Sequence, residues 1–416
     1  MHLPESQARL LAGEGGEAAA MAMRILVDMA RVAGTREWVA IRSAHVDGCL
    51  LHGASGVAFA ERLVAGAGQV RVPTTLNVGA MDLRRPDNVR LAGTQRDLAV
   101  RLMNAYVAMG CRPTWTCAPY QAGHRPAAGE DVAWAESNAV VFANSVLGAR
   151  TNRYGDFMDI CCALTGCAPR AGLHLPEQRR ATTRVDATGL PDRLWRQEAV
   201  YPVLGAWLGR ELGAEVAVID GLPADIGEDR LKALGASAAS TGAVALFHVA
   251  GVTPEAPTVA DALGQRPPRR TVRLTLDMIH AARDAMSTTA GEQLDVVALG
   301  SPHFSEQEFD ALLRALDGRR SRVPLYVCSG RHALAALERR GVLSDLEDAG
   351  VRLVADTCVV VTPVIEHAAG VLMTNSGKFA HYSPSLIGHE VVFGSLADCV
   401  ESAVAGRVMR DASGWQ

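Results

Sequence analysis

The stretch "LDVVALGSPHFSEQEFDALLRALDG", residues 294–318, followed by "VPLYVCSGR", residues 323–331, sets an apolar run, an amphipathic run and a second apolar run in succession. A run such as Val296-Val297-Ala298-Leu299, apolar at every position, reads as a strand buried on both faces. Phe309, Leu312, Leu313 and Leu316 recur at the helical period and read as the crossover that follows it. Working outward, "HALAALERRGVLSDLEDAG" (332–350) repeats the helix, "VRLVADTCVVV" (351–361) the strand, and "AGVLMTNSGKFAHY" (369–382) a further strand with its polar end. Right-handed βαβ units of this kind make a mainly parallel sheet covered by helices, so the fold class is α/β. Ligands of such sheets gather beyond the carboxyl ends of the strands. Those ends carry Ser301-Pro302-His303, Cys328-Ser329, Asp356-Thr357-Cys358 and Asn375-Ser376-Gly377-Lys378.

Toward the N-terminus the pattern is less regular. "WVAIRSAHVDGCLLHGASGVAFAERLVAGAGQVRVPTTLNVGAMD" (38–82) reads as strand, polar loop rich in Gly and His, helix, and a strand ending in polar residues. The proline-rich "VTPEAPTVADALGQRPPRR" (252–270) marks a boundary. We expect an N-terminal α/β region over 1–268, holding the His/Gly loop, and a C-terminal parallel α/β region over 269–416.

The 416 residues have a net charge of -4, which carries no footprint for nucleic acid or an anionic membrane and leaves a small molecule as the default partner. No apolar run approaches membrane-spanning length, and the N-terminal stretch lacks the basic start and apolar core of a signal peptide, so a cytoplasmic location is expected. Of 41 basic side chains only Lys232 and Lys378 are lysine. The scarcity fits the codon bias of a GC-rich genome, and a lysine that persists under it is worth inspecting, because arginine cannot replace it where a compact donor or a titratable amine is needed. The nine cysteines include no pair of C-x2-C type, which excludes an ordinary structural zinc site. Cys161, Cys162 and Cys167 read as core or surface thiols. Cys117, Cys328 and Cys358 are isolated loop or strand-end thiols, open to either structural or iron-sulfur readings.

"SAHVDGCLLHG", "VPTTLNVG", "TCAPY", "NSVLGARTNRYGD", "GSPHFS", "VCSG", "ADTC" and "TNSGKFAHY" occur in this order. On these motifs, from about residue 1 to 400, the chain resembles the aconitase X family, a divergent branch of the aconitases. The resemblance implies an aconitase-like architecture of several subdomains with mainly parallel sheets, without the small swivelling domain. That domain is expected as a separate small subunit of a heteromer. It implies a hydro-lyase in which Cys117, Cys328 and Cys358 ligate a 4Fe-4S or 2Fe-2S cluster, or a single iron. The substrate it implies is a hydroxy acid: first cis-3-hydroxy-L-proline, giving 1-pyrroline-2-carboxylate, and as the alternative mevalonate 5-phosphate or another hydroxy acid. A non-catalytic iron-sulfur sensor is the reading from a different class. Elimination of water needs a base, an electrophile on the leaving hydroxyl and cationic donors for the carboxylate. Candidate catalytic residues are Lys378, His45, Asp47, His303 and Tyr382. Thr75, Asn77, Asn375 and Ser376 are candidates for substrate binding, and Arg150 and Arg153 for a phosphate or carboxylate.

Overall fold

The computed structural model describes residues 3–411 and 413–415. Within them the chain divides into two compact units, one of residues up to Met81 with Leu91–Arg180, the other of Asp82–Arg90 with the chain from Ala181 onward. The division therefore falls at Arg180/Ala181 rather than at the 268/269 boundary read from the sequence. The physical reason is strand pairing across that boundary, described below.

In the first unit, β1 (Trp38–Ala40), β2 (Ala44–Val46), β3 (Thr74–Leu76), β4 (Ala133–Trp134) and β5 (Cys167–Pro169) are all short. β3, β2 and β4 form a parallel sheet in that order, while β1 and β5 pair antiparallel. Three strands of two or three residues cannot bury a core alone. The helices Glu17–Val32, Ala54–Ala65, Gly93–Ala108 and Met158–Thr165 supply it, for instance through the fully buried Ala22, Met23, Leu26 and Ala30 at helical spacing.

The second unit holds two all-parallel sheets. β6 (Thr183–Asp186), β7 (Ala217–Asp220), β8 (Phe247–Val249) and β9 (Arg270–Arg273) lie in the order β8-β7-β6-β9. Because β9 pairs with β6 from Thr183↔Arg270 onward, chain on both sides of residue 268 shares one sheet. The helices Val200–Leu212 and Glu228–Thr241 pack closely there: a side chain at Gly205 would run into the Leu234 carbonyl, so only glycine permits the approach.

The second sheet runs β12-β11-β10-β13-β14, with β10 (Val296–Phe304), β11 (Leu325–Ser329), β12 (Val351–Ala355), β13 (Gly370–Thr374) and β14 (His389–Phe393). Its core packs Val297, Leu299, Leu325, Val327 and Leu353 against Phe309, Leu312 and Leu337. The crossover helix Glu306–Leu316 starts sharply because Ser305 and Glu308 form a reciprocal capping box. No helix of the described residues is long and apolar enough to cross a membrane.

Candidate active site

In the first unit, strand register builds a polar ladder. His45 pairs with Thr75 on one side and Trp134 on the other. The Asn77 N–H donates to the Val46 carbonyl (2.9 Å) and the Ala135 N–H to the His45 carbonyl (3.1 Å), so the register runs on past the strands. Side chains two residues apart share a face. A second rung, Asn77, Asp47 and Glu136, therefore follows the rung Thr75, His45 and Trp134 at the carboxyl end of the sheet. The amide of Asn77 donates to the Asp47 carboxylate. Glu136 caps the helix Ser137–Ser145, accepting the Ala139 N–H at 2.7 Å.

Two residues that the sequence reading missed complete the ladder. His124 Nδ1 lies 2.7 Å from Thr75 Oγ1, whose other neighbour is His45 Nδ1 at 2.9 Å. Asp159, buried at the start of the helix Met158–Thr165, accepts the N–H groups of Asp47 (2.7 Å), Gly48 (3.3 Å) and Ile160 (2.6 Å). Neither had a local signal, since Asp159 is 112 residues from Asp47 and His124 lies in a turn.

Burial, then the Glu136 and Asp156 carboxylates, pushes Asp47 up to about 7 against the opposing pull of Asn77. Burial likewise raises Asp159 to about 7, opposed by the N–H donors of Asp47 and Ile160. Burial and the neighbouring His124 hold His45 well below its ordinary value, and burial with Arg112 brings His124 down to about 4. The site thus pairs neutral imidazoles with a carboxyl that titrates near neutrality, the combination suited to moving protons.

A carboxyl whose pKa is higher in the folded chain than in the unfolded one favours folding at low pH. That contribution is lost as pH rises from about 4, the unfolded value, through about 7. Asp47→Asn should therefore melt above the wild type at pH 8, with the gap closing toward pH 4 in thermal melts.

Arg150 and Arg153 stand apart from the ladder in their recorded contacts. Arg150 forms a β-bridge with Asp131 and its Nε is buried without a partner among the described residues, whereas Arg153 is exposed. Cys117 is buried in a loop held by Asn138, whose amide donates to the Cys117 carbonyl (2.9 Å) and to the Tyr120 hydroxyl (3.0 Å).

In the second unit the expected strand-end residues do collect at the carboxyl ends of β10 to β13. Cys328 is fully buried and still inside β11, opposite Val354 of β12, so the strand runs one residue beyond the thiol. Cys358 is buried in the turn after β12. That turn is pinned at Asp356, which takes two bonds from Arg331 (2.5 and 2.7 Å) and the Leu83 N–H (3.2 Å). His303, fully buried on β10, donates from Nε2 to the Thr357 carbonyl (3.3 Å), and burial above all lowers its pKa to about 3. Ser376 bonds the Ser301 carbonyl and caps the helix Gly377–Leu386 through the Phe379 N–H (3.0 Å). Asn375 and Lys378, both half-buried, flank this cap, and Tyr382 follows one turn later.

The other lysine serves a different purpose. Lys232, 2% exposed, bonds Glu308 (2.5 Å), Asp229 (2.8 Å) and the His303 carbonyl (3.3 Å). Burial alone would lower its pKa, but the two carboxylates outweigh it, so the ammonium stays charged.

Among the described residues no group of three or more His, Cys, Asp or Glu side chains is gathered for a metal ion. Cys117 belongs to the first unit and Cys328 and Cys358 to the second, so neither unit alone holds all three expected ligands. The pair in the second unit, buried soft thiols at neighbouring strand ends, matches the donor chemistry of iron-sulfur centres.

Family profiles for the aconitase X first, second and third domains match residues 1–177, 181–284 and 294–405. A cis-3-hydroxy-L-proline dehydratase of Pseudomonas aeruginosa is 46% identical over 98% of this chain and 70% of its own length. A phosphomevalonate dehydratase large subunit of Methanothermobacter thermautotrophicus is 37% identical over 94% of this chain and 96% of its own. The crystal structure of Thermococcus kodakaraensis aconitase X in its holo form superposes with a TM-score of 0.87 at 31% identity, covering 97% of this chain and 100% of that one. With three consecutive domain matches and likeness across nearly its full length, the chain belongs to the aconitase X family.

Proposed function

We propose that this chain is a hydro-lyase that removes water from cis-3-hydroxy-L-proline. The observation that carries the reading is the 46% likeness, over 98% of the chain, to a dehydratase of that substrate. The proton-handling ladder of the first unit supports it chemically. In the reaction the α-proton leaves to a base, the C–H pair becomes the ring double bond, and the C3–O bond breaks. The departing hydroxide and one proton make water, and the enamine tautomerises to 1-pyrroline-2-carboxylate.

Asp47, titrating near neutrality and oriented by Asn77, is suited to take the α-proton. Lys378 is suited to hold the substrate carboxylate, because its ammonium adds to the positive end of the helix Gly377–Leu386. Ser376 and Asn375 stand beside it, Tyr382 is a further donor on the same helix, and His303, whose one N–H is committed to the Thr357 carbonyl, stands on β10. The family resemblance names Cys117, Cys328 and Cys358 as thiolate donors; an iron-sulfur centre or single iron bound by them would polarise the leaving hydroxyl.

A separate small-subunit partner belongs to the same proposal. Its support is that the phosphomevalonate dehydratase matched over 96% of its own length is itself a large subunit. The anaerobically purified chain should turn over cis-3-hydroxy-L-proline slowly alone, and at least about 10²-fold faster with a small-domain subunit that completes and dries the site. Full activity of the lone chain would remove the partner. Turnover of mevalonate 5-phosphate in place of hydroxyproline would move the substrate to the alternative, with Arg150 and Arg153 as its first phosphate candidates.

A further inference from the structure

Thr75 joins two imidazoles through a single hydroxyl. Its Oγ1 lies 2.9 Å from His45 Nδ1 and 2.7 Å from His124 Nδ1, and among the described residues it has no third polar neighbour. The hydroxyl owns one proton, so it donates to one ring and accepts from the other. The two rings consequently carry opposite tautomers: one presents an N–H at Nε2, the other a lone pair. Both Nε2 atoms are buried without a hydrogen-bond partner among the described residues. Trp134 flanks both rings, at 5.7 and 5.0 Å between centroids.

We propose that His45, Thr75 and His124 form a proton relay, a role that rests on the dehydratase reading for its substrate. A proton arriving at the bare Nε2 of one ring makes that ring cationic. Its Nδ1 proton passes to Thr75 Oγ1 while the hydroxyl proton passes to Nδ1 of the second ring, which then releases its own Nε2 proton. One proton enters, one leaves, and no bond order changes outside the rings. Afterwards each ring holds the other's former tautomer, so the relay is set to run only in the opposite direction.

That reversal matches elimination of water. The α-proton must leave the carbon, and one proton must return to the departing hydroxide, so each turnover sends one proton out and brings one back. Asp47 lies on the next rung of the same strand, past the His45 end. The His124 end lies in a turn whose neighbouring residues Gly123 and Arg125 are exposed, its own Nε2 staying covered, whereas His45 is fully buried. His45 is the inner terminus and His124 the outer one.

The test compares Thr75→Val, which keeps the shape and removes the hydroxyl, with Thr75→Ser, which keeps the hydroxyl. In the iron-loaded enzyme with its partner subunit and hydroxyproline, Thr75→Val should lower kcat roughly 10²-fold at little-changed KM, and Thr75→Ser should recover most of that loss. Nitrogen-15 NMR of the histidines in the wild-type chain should show His45 and His124 in opposite tautomers. A Thr75→Val enzyme with wild-type kcat, or both rings in one tautomer, would overturn the relay. Failure of the wild type to dehydrate hydroxyproline while the tautomers remain opposite would instead overturn the substrate reading and leave the hydrogen-bonded pair standing.

Discussion

Serine in place of Cys328 or Cys358 should give a chain that folds but emerges from anaerobic purification colourless, with iron and sulfide near zero and no dehydratase activity. Both thiols are buried, one inside β11 and one in the turn pinned by Asp356, so they are positioned without cost in side-chain freedom. A serine hydroxyl is close in size but is a hard, poorly acidic donor and binds iron-sulfur centres weakly. Cys117→Ser is expected to behave in the same way, from the family resemblance. Cys161→Ser and Cys167→Ser are the controls. Both thiols are packed in the core of the first unit, and Cys167 already bonds the Thr165 hydroxyl, a partner serine can keep. Iron analysis decides the matter: metal retained in the Cys328 or Cys358 variant would withdraw that residue as a ligand.

Lys378→Arg should be almost as inactive as Lys378→Ala while keeping its iron. The ammonium stands at the second residue of the helix Gly377–Leu386, and the backbone there has no room to adjust. A side chain at Gly377 would collide with Ser237, and Ser376 is tied to the Ser301 carbonyl. A planar guanidinium is longer and wider than an ammonium and places its charge elsewhere. Truncating a charged contact of this kind costs roughly 2 to 5 kcal/mol, or about 30- to 5,000-fold in kcat/KM. Steady-state kinetics on both variants settles it: wild-type efficiency in Lys378→Arg would place the lysine outside the site.

The C-terminal sheet was legible because its strands are buried on both faces and therefore write continuous apolar runs. Ser305 with Glu308, a capping box, marks where the helix Glu306–Leu316 begins. The first unit was harder, since β2, β3 and β4 are two or three residues long and their pattern is lost among polar loops. Its candidate quartet was nevertheless legible. His45 with Asp47, and Thr75 with Asn77, are each two apart at the end of an apolar run, and parallel pairing brings them side by side. Asp159 and His124 escaped because nothing local distinguishes a carboxylate opening a helix, or a histidine in a turn, from solvated residues. Only long-range pairing makes them partners of the ladder. The boundary read at 268/269 missed for a similar reason: proline-rich chain suggests a linker, but the strand beyond it returns to a sheet begun at Thr183.

The burial of Lys232 between Asp229 and Glu308 has a practical corollary in protein labelling. The chain has only two lysine side chains, and this one is enclosed and held as a cation by two carboxylates. A protonated amine in the interior neither meets nor attacks an acylating reagent. Apart from a terminal α-amine, the half-buried Lys378 is then the single address for amine-selective chemistry, and it is the residue proposed to hold the substrate carboxylate. A fluorescent or isotopic acyl group delivered under mild conditions would report on that subsite alone, and protection by a bound carboxylate could be followed by mass spectrometry of one peptide.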